Sequence, residues 1–136
     1  MLLGRHAAAI GSPQLEGKQI LVVDDNAVNL DIAAETLAYS GATVESAASG
    51  ADALGFIDRV RYDLILLDLT MPGIDGDTVG KAIRSSAINS NTPILVFTAS
   101  DNSDAVQAVK RLNAQGLVSK PVDVDDLLAT VVKHVG

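Results

Sequence analysis

From Lys18 onward the chain alternates between unbroken apolar runs and segments whose apolar residues recur at helical spacing. Residues 20–23 (ILVV), 63–67 (DLILL) and 93–98 (PILVFT) are rich in β-branched and aliphatic side chains. Runs of this kind read as strands covered on both faces. Residues 43–47 (TVESA) alternate only weakly and suit an edge strand, and 117–119 (LVS) form a short last strand. Between them, Val28, Ile32, Ala33 and Leu37 mark a helix over 28–37 that ends at Gly41. Ala53, Leu54 and Ile57 mark another over 49–60, followed by helices over 77–86, 103–112 (with Ser103 or Asp101 near its cap) and 124–135. A βα unit repeated in this way predicts an α/β fold with a parallel sheet and helices on both faces. Residues 1–17 carry Ala, Gly and Ser12-Pro13 without sustained periodicity, so they read as an N-terminal tail or linker, with at most a short helix over 5–10. The folded domain is then expected over 18–136.

Composition narrows the chemistry. With 136 residues the chain is long enough for one domain with a real core. It has no cysteine, which removes disulfides, thiolate metal sites and a thiol nucleophile. Ten basic against 17 acidic residues, a net charge of −7, argue against a nucleic-acid binder, which needs cationic surface. Aromatic residues make up only 3%, so the core must be built from small aliphatic side chains. The apolar runs are far shorter than the ~20 residues that span a bilayer. Residues 1–10 lack the plan of a secretory signal. No membrane insertion and a cytoplasmic location are the corresponding expectations.

The polar residues that close the strands carry the most information. Asp24 and Asp25 follow 20–23, Asp68 follows 64–67, Thr98 closes 93–98, and Lys120-Pro121 follow 117–119. All strand C-termini of a parallel sheet lie along one edge, where ligands bind at the switch in strand order. Each residue also has a plain structural reading. Asp24, Asp25 and Asn26 could cap the next helix, Asp68 could stabilise a turn, and Thr98 and Lys120 could be an ordinary strand end and a solvated lysine. Their joint placement favours a site. Three clustered carboxylates repel unless a cation joins them. Lys120 is one such cation and a hard divalent ion is another, with Mg²⁺ suited to a few carboxylates plus water. Such a cluster suits phosphoryl transfer, in which an aspartate can serve as nucleophile.

Residues 20–26 (ILVVDDN), 64–76 (LILLDLTMPGIDG), 93–99 (PILVFTA) and 119–121 (SKP) together resemble the receiver domain of two-component response regulators, over nearly all of the chain after the tail. The resemblance implies a flavodoxin-like (βα)5 doubly wound sheet of strand order 2-1-3-4-5. It implies that Asp68 accepts a phosphoryl group from a phosphohistidine on a histidine kinase or histidine-phosphotransfer domain. It further implies Mg²⁺, or Mn²⁺ in its place, held by Asp25 and Asp68, by Asp24 mainly through water, and by the backbone carbonyl of Thr70. Lys120 would pair with the phosphoryl oxygens, and Thr98 would hydrogen-bond them and move as the switch. Lys120-Pro121 would be a cis peptide, an isomer that costs only about 0.5–1 kcal/mol before proline. Gly76 would sit where a side chain clashes, and the small Ala99 would leave room for the donor. Thr70 and Ser100 flank the site and would bear on the phosphoryl lifetime.

The family's usual switch aromatic lies three residues before the lysine, which here is Leu117. Phe97 adjoins Thr98 but should point to the other side of its strand. His6 and His134 near the termini read as solvated, not as phosphohistidines. Asn29, Ile32 and Ala33 on the first helix are expected at a docking surface. The run 15–30 (LEGKQILVVDDNAVNL) is more like receivers attached to hybrid kinases than like free-standing ones. The expected function is thus a phosphoacceptor module that catalyses its own phosphorylation without being a conventional turnover enzyme. The alternatives are a pseudo-receiver that docks partners without phosphate, which only Leu117 favours, and a small Mg²⁺-dependent phosphatase, for which Leu69 and Thr70 offer no acid/base carboxylate after Asp68.

Overall fold

A computed structural model describes residues 14–99 and 103–135. In chain order the elements are β1 (Gln19–Val23), α1 (Ala27–Tyr39), β2 (Thr43–Ala47), α2 (Gly50–Ile57), β3 (Leu64–Asp68), α3 (Gly76–Ser85), β4 (Ile94–Thr98), α4 (Ser103–Arg111), β5 (Gly116–Ser119) and α5 (Val124–His134). The strands form one sheet in the order β2-β1-β3-β4-β5, every neighbouring pair parallel. This is the strand order expected for a flavodoxin-like sheet. The weakly apolar β2 is an edge, as its alternation suggested.

Strand alternation divides the core into two layers. Ile20, Val22, Leu64, Leu66, Leu95, Phe97 and Val118 face Leu30, Ala33 and Leu37 of α1 and Leu127 and Val131 of α5. Leu21, Val23, Ile65, Leu67 and Ile94 face Ala53 and Ile57 of α2 and Val79 and Ile83 of α3. Burial on both faces explains why β1, β3 and β4 read as continuous apolar runs. Helix starts are set by side-chain caps. Asn26 accepts from the Asn29 N–H, Ser49 from Asp52, Asp75 from Thr78 and Asp123 from Asp126. Among Asp24, Asp25 and Asn26, the capping role therefore falls to Asn26, and both carboxylates are left for other work.

Packing begins a few residues before the expected domain start at residue 18. Residues 14–17 form a turn, and Leu15 is completely buried in the α1–α5 layer, its N–H donating to the Ser40 carbonyl at 2.9 Å. A single leucine beside Gly and Pro carries no periodic signal, so only tertiary packing reveals that it belongs to the core. The short helix over 5–10, His6, Ser100 and Asp101 lie outside the described residues. His134 is half-buried rather than solvated. No helix among the described residues is long and apolar enough to cross a membrane.

Candidate functional site

The sheet register brings the strand ends into line. Val23 pairs with Leu67, Asp68 with Phe97, and Thr98 with Ser119. The chain leaves β1 toward one edge and β3 toward the other, so the switch in strand order falls between Asp24-Asp25 and Asp68. A cleft of about 640 Å³ opens there, lined by Asp25, Asp68, Thr70, Thr98, Ala99 and Lys120 among others.

The ionic arrangement is compact. Asp24 is fully buried, Asp68 nearly so and Asp25 exposed, and one carboxylate oxygen from each lies within 4.8 Å of the other two. Lys120 Nζ stands 2.8 Å from Asp24 Oδ2 and 3.4 Å from Asp68 Oδ1. Asp24 Oδ1 accepts from the Asn26 N–H at 2.8 Å, and Asp68 Oδ1 accepts from the Thr70 N–H at 3.1 Å. Asp24 Oδ2, by contrast, has no hydrogen-bond partner among the described residues and is met only by the ion pair with the Lys120 ammonium. A buried oxygen left in this state beside two more carboxylates, with neither thiol nor imidazole in the cluster, fits a hard oxygen-seeking cation. The Lys120-Pro121 peptide is cis, and the Lys120 N–H donates to the Thr98 carbonyl at 2.7 Å, which joins the two strand ends.

Burial pushes the Asp68 carboxyl up from 3.8 to about 6, against the Thr70 N–H and the Lys120 ammonium, which favour the anion, and with help from the Asp24 charge. The folded state therefore binds more protons than the unfolded chain between about pH 4 and 6. On this account the metal-free protein gains stability as pH falls through about 6 toward 4, and ionised Asp68 is a cost at neutral pH. Asp68→Asn is expected to raise the stability of the metal-free protein at pH 7 by about 1–3 kcal/mol, a gain that vanishes near pH 4. Urea unfolding in EDTA at the two pH values checks this. A gain independent of pH would contradict it.

Six of the expected site residues meet at this edge: Asp24, Asp25, Asp68, Thr70, Thr98 and Lys120. Leu117 is half-buried opposite Val96 in β5, so no aromatic stands at that position. The Phe97 ring lies in the α1–α5 layer, as alternation suggested, yet the Lys120 ammonium reaches it, 4.8 Å from the ring centroid. Ala33 needs correction as a docking residue, because it is buried beneath α1, whereas Val28 and Ile32 are exposed. The 28–37 helical pattern grouped Ala33 with Val28 and Ile32, and only the packing separates the buried Ala33 and Leu37 from the exposed Val28 and Ile32. Sequence reasoning missed Asp77, Asp104 and Arg111, which also line the cleft. Arg111 grips Asp77 with paired hydrogen bonds of 2.9 and 3.0 Å across 34 residues of sequence. No local motif signals such a pair.

Comparison with known proteins agrees with this geometry. The fold matches the chemotaxis protein CheY4 of Vibrio cholerae with a TM-score of 0.82, at 32% identity over 87% of this chain and 98% of that one. It matches the receiver domain of sensor histidine kinase PA1611 from Pseudomonas aeruginosa, which has a magnesium ion coordinated in its active-site cleft, with a TM-score of 0.79, at 28% identity over 87% of this chain and 97% of that one. Sporulation initiation phosphotransferase F of Bacillus subtilis is 33% identical over 86% of this chain and 93% of its own length. The chain spans only 19% of the yeast transcription factor SKN7 and 14% of the rice probable histidine kinase 4, which it also resembles. Residues 20–132 match the family model described as the response regulator receiver domain. With the strand order, the acidic cleft and these relatives in agreement, the chain belongs to the response regulator receiver domain family of two-component systems.

Proposed function

We propose that Asp68 is the phosphoacceptor of a phosphorelay and that a phosphohistidine on a histidine kinase or histidine-phosphotransfer domain is its donor. The observation that carries this reading is the Lys120 ammonium between Asp24 and Asp68, beside a third carboxylate at the strand switch. An Asp68 carboxylate oxygen attacks phosphorus. The new P–O bond forms as the P–N bond breaks, and the imidazole nitrogen keeps the electron pair. Asp24, Asp25, Asp68 and the Thr70 carbonyl would hold Mg²⁺, or Mn²⁺ in its place. The bound ion supplies charge neutralisation at the phosphoryl oxygens. Lys120 contributes the second positive charge, and Thr98 offers a hydroxyl to a phosphoryl oxygen and thereby acts as the switch. Hydrolysis of the acyl phosphate returns Asp68, so the module resets itself and turns over no separate substrate.

This donor chemistry belongs in the cytoplasm, and the histidine kinases among the relatives favour a receiver carried by a hybrid kinase. Residues 18–136, with the turn at 14–17 attached, would form the receiver, and the residues before that turn would be a tail or linker. Neither a phosphate-independent docking module nor a metabolite phosphatase accounts for the full set of Asp24, Asp25, Asp68, Thr98 and Lys120.

The test uses acetyl phosphate with Mg²⁺ and intact-mass measurement. One labile phosphoryl adduct is expected. It should disappear in Asp68→Asn and in EDTA. No adduct, or an adduct that survives in Asp68→Asn, would refute the assignment.

A further inference from the structure

Lys120 must hold its ammonium in place while the anions around it change, from two carboxylates at rest to a phosphoryl group on Asp68. Its side chain is only 13% exposed, so here the ammonium sits inside the cleft and not in solvent. The two carboxylates account for one side of the charge. On another side lies the Phe97 ring, 4.8 Å from Nζ to the centroid. Phe97 is completely buried in the core layer that also holds Leu30, Leu95, Val118 and Leu127, so its ring is held by packing. A ring face attracts a cation through its quadrupole without the directionality of a lone pair. It can therefore seat the ammonium without dictating which anion the N–H groups address.

The geometry points to Phe97 as a positioning residue for phosphoryl transfer, acting through a cation–π seat under the Lys120 ammonium. This rests on the reading of Asp68 as phosphoacceptor and adds a residue to it. The contact is independent of the switch position at Leu117, because Phe97 lies on the α1–α5 side of the sheet. Apolar packing alone would need volume at position 97 but no π density. The cation–π seat needs the π density.

The two roles separate on fluorination, which drains the ring face of negative potential while nearly preserving its shape. The full chain is prepared with 4-fluoro-, 3,5-difluoro- and 3,4,5-trifluorophenylalanine at position 97. The rate constant for phosphorylation by acetyl phosphate with saturating Mg²⁺ is followed by intact mass, and the urea midpoint is measured alongside. The expected result is a stepwise fall in the rate constant per folded molecule with each fluorine, reaching about 5- to 30-fold, alongside only a small drop in the urea midpoint that leaves the protein fully folded under the assay conditions. Phe97→Leu should match the trifluoro protein in rate after correction for its folded fraction. A flat series, or a rate loss no larger than the loss of folded fraction, overturns the role of Phe97 and leaves Asp68 as phosphoacceptor intact. If the unsubstituted protein takes up no phosphoryl group, the underlying reading itself falls and the proposal with it.

Discussion

Gly76→Ala is expected to destabilise the domain by about 3–5 kcal/mol and to slow phosphorylation of whatever remains folded by about 10-fold or more. Gly76 opens α3, and its N–H donates to the Leu69 carbonyl at 3.2 Å, folding the loop after β3 back onto its strand. A Cβ there would lie 2.3 Å from the Asp68 carbonyl oxygen and 2.5 Å from Leu69 Cα. Both partners are backbone, so no side-chain rotation relieves the overlap. Relief has to come from shifting Asp68 or the start of α3. The same shift moves the Asp68 carboxylate relative to Lys120, and group transfer is sensitive to misplacement on the ångström scale. Gly73→Ala is the matched control. Its φ of +75° strains an alanine, but nothing lies within 4 Å of the added carbon. That change should cost only about 1 kcal/mol and spare the rate. Urea unfolding and acetyl phosphate labelling of both variants provide the check, and equal losses in the two would contradict the steric account.

Asn89→Ala is expected to cost a similar 3–5 kcal/mol, a large share of a typical domain's stability, without altering the chemistry of the folded fraction. Asn89 is completely buried at the end of the sheet away from the cleft. Its Nδ2 donates to the carbonyls of Ile57 and Val60 at 2.7 and 2.8 Å. Its Oδ1 accepts from the Tyr62 N–H and the Thr92 hydroxyl, each at 2.9 Å. One amide thus ties the segment leading into β3 to the turn leading into β4. Alanine leaves the part-buried Val60 carbonyl and the buried Tyr62 N–H without these partners, and a buried group left so costs about 1–3 kcal/mol. Ser86 still donates to the Ile57 carbonyl, which limits the loss there. The prediction is a lowered urea midpoint with an unchanged phosphorylation rate per folded molecule. A loss below about 1 kcal/mol would mean that water fills the gap and restores the bonds. A changed rate would mean that the two ends of the sheet are coupled.

Much of this protein was legible in its residues because the signals are local. Strands buried on both faces must be apolar throughout, so ILVV, LILL and ILVF declare themselves. Asp24, Asp68, Thr98 and Lys120 sit at the ends of those strands, and a parallel sheet carries all such ends to one edge. Sequence alone therefore determined the layered α/β architecture and the sheet edge at which these charged residues gather.

What tertiary structure decided depends on contacts between segments far apart in the chain. Leu15 enters the core through a turn without periodicity, and Ala33 turns inward from a helix whose outer face looked available. Asn89 and the Arg111–Asp77 pair carry no local pattern at all. Phe97 is the sharpest case. Alternation placed its ring on the far side of the sheet from the threonine next to it, and that was so. Only the fold carries the Lys120 ammonium to within reach of that ring, because a long side chain from a neighbouring strand end can cross the edge of the sheet, where strand alternation no longer separates the two faces.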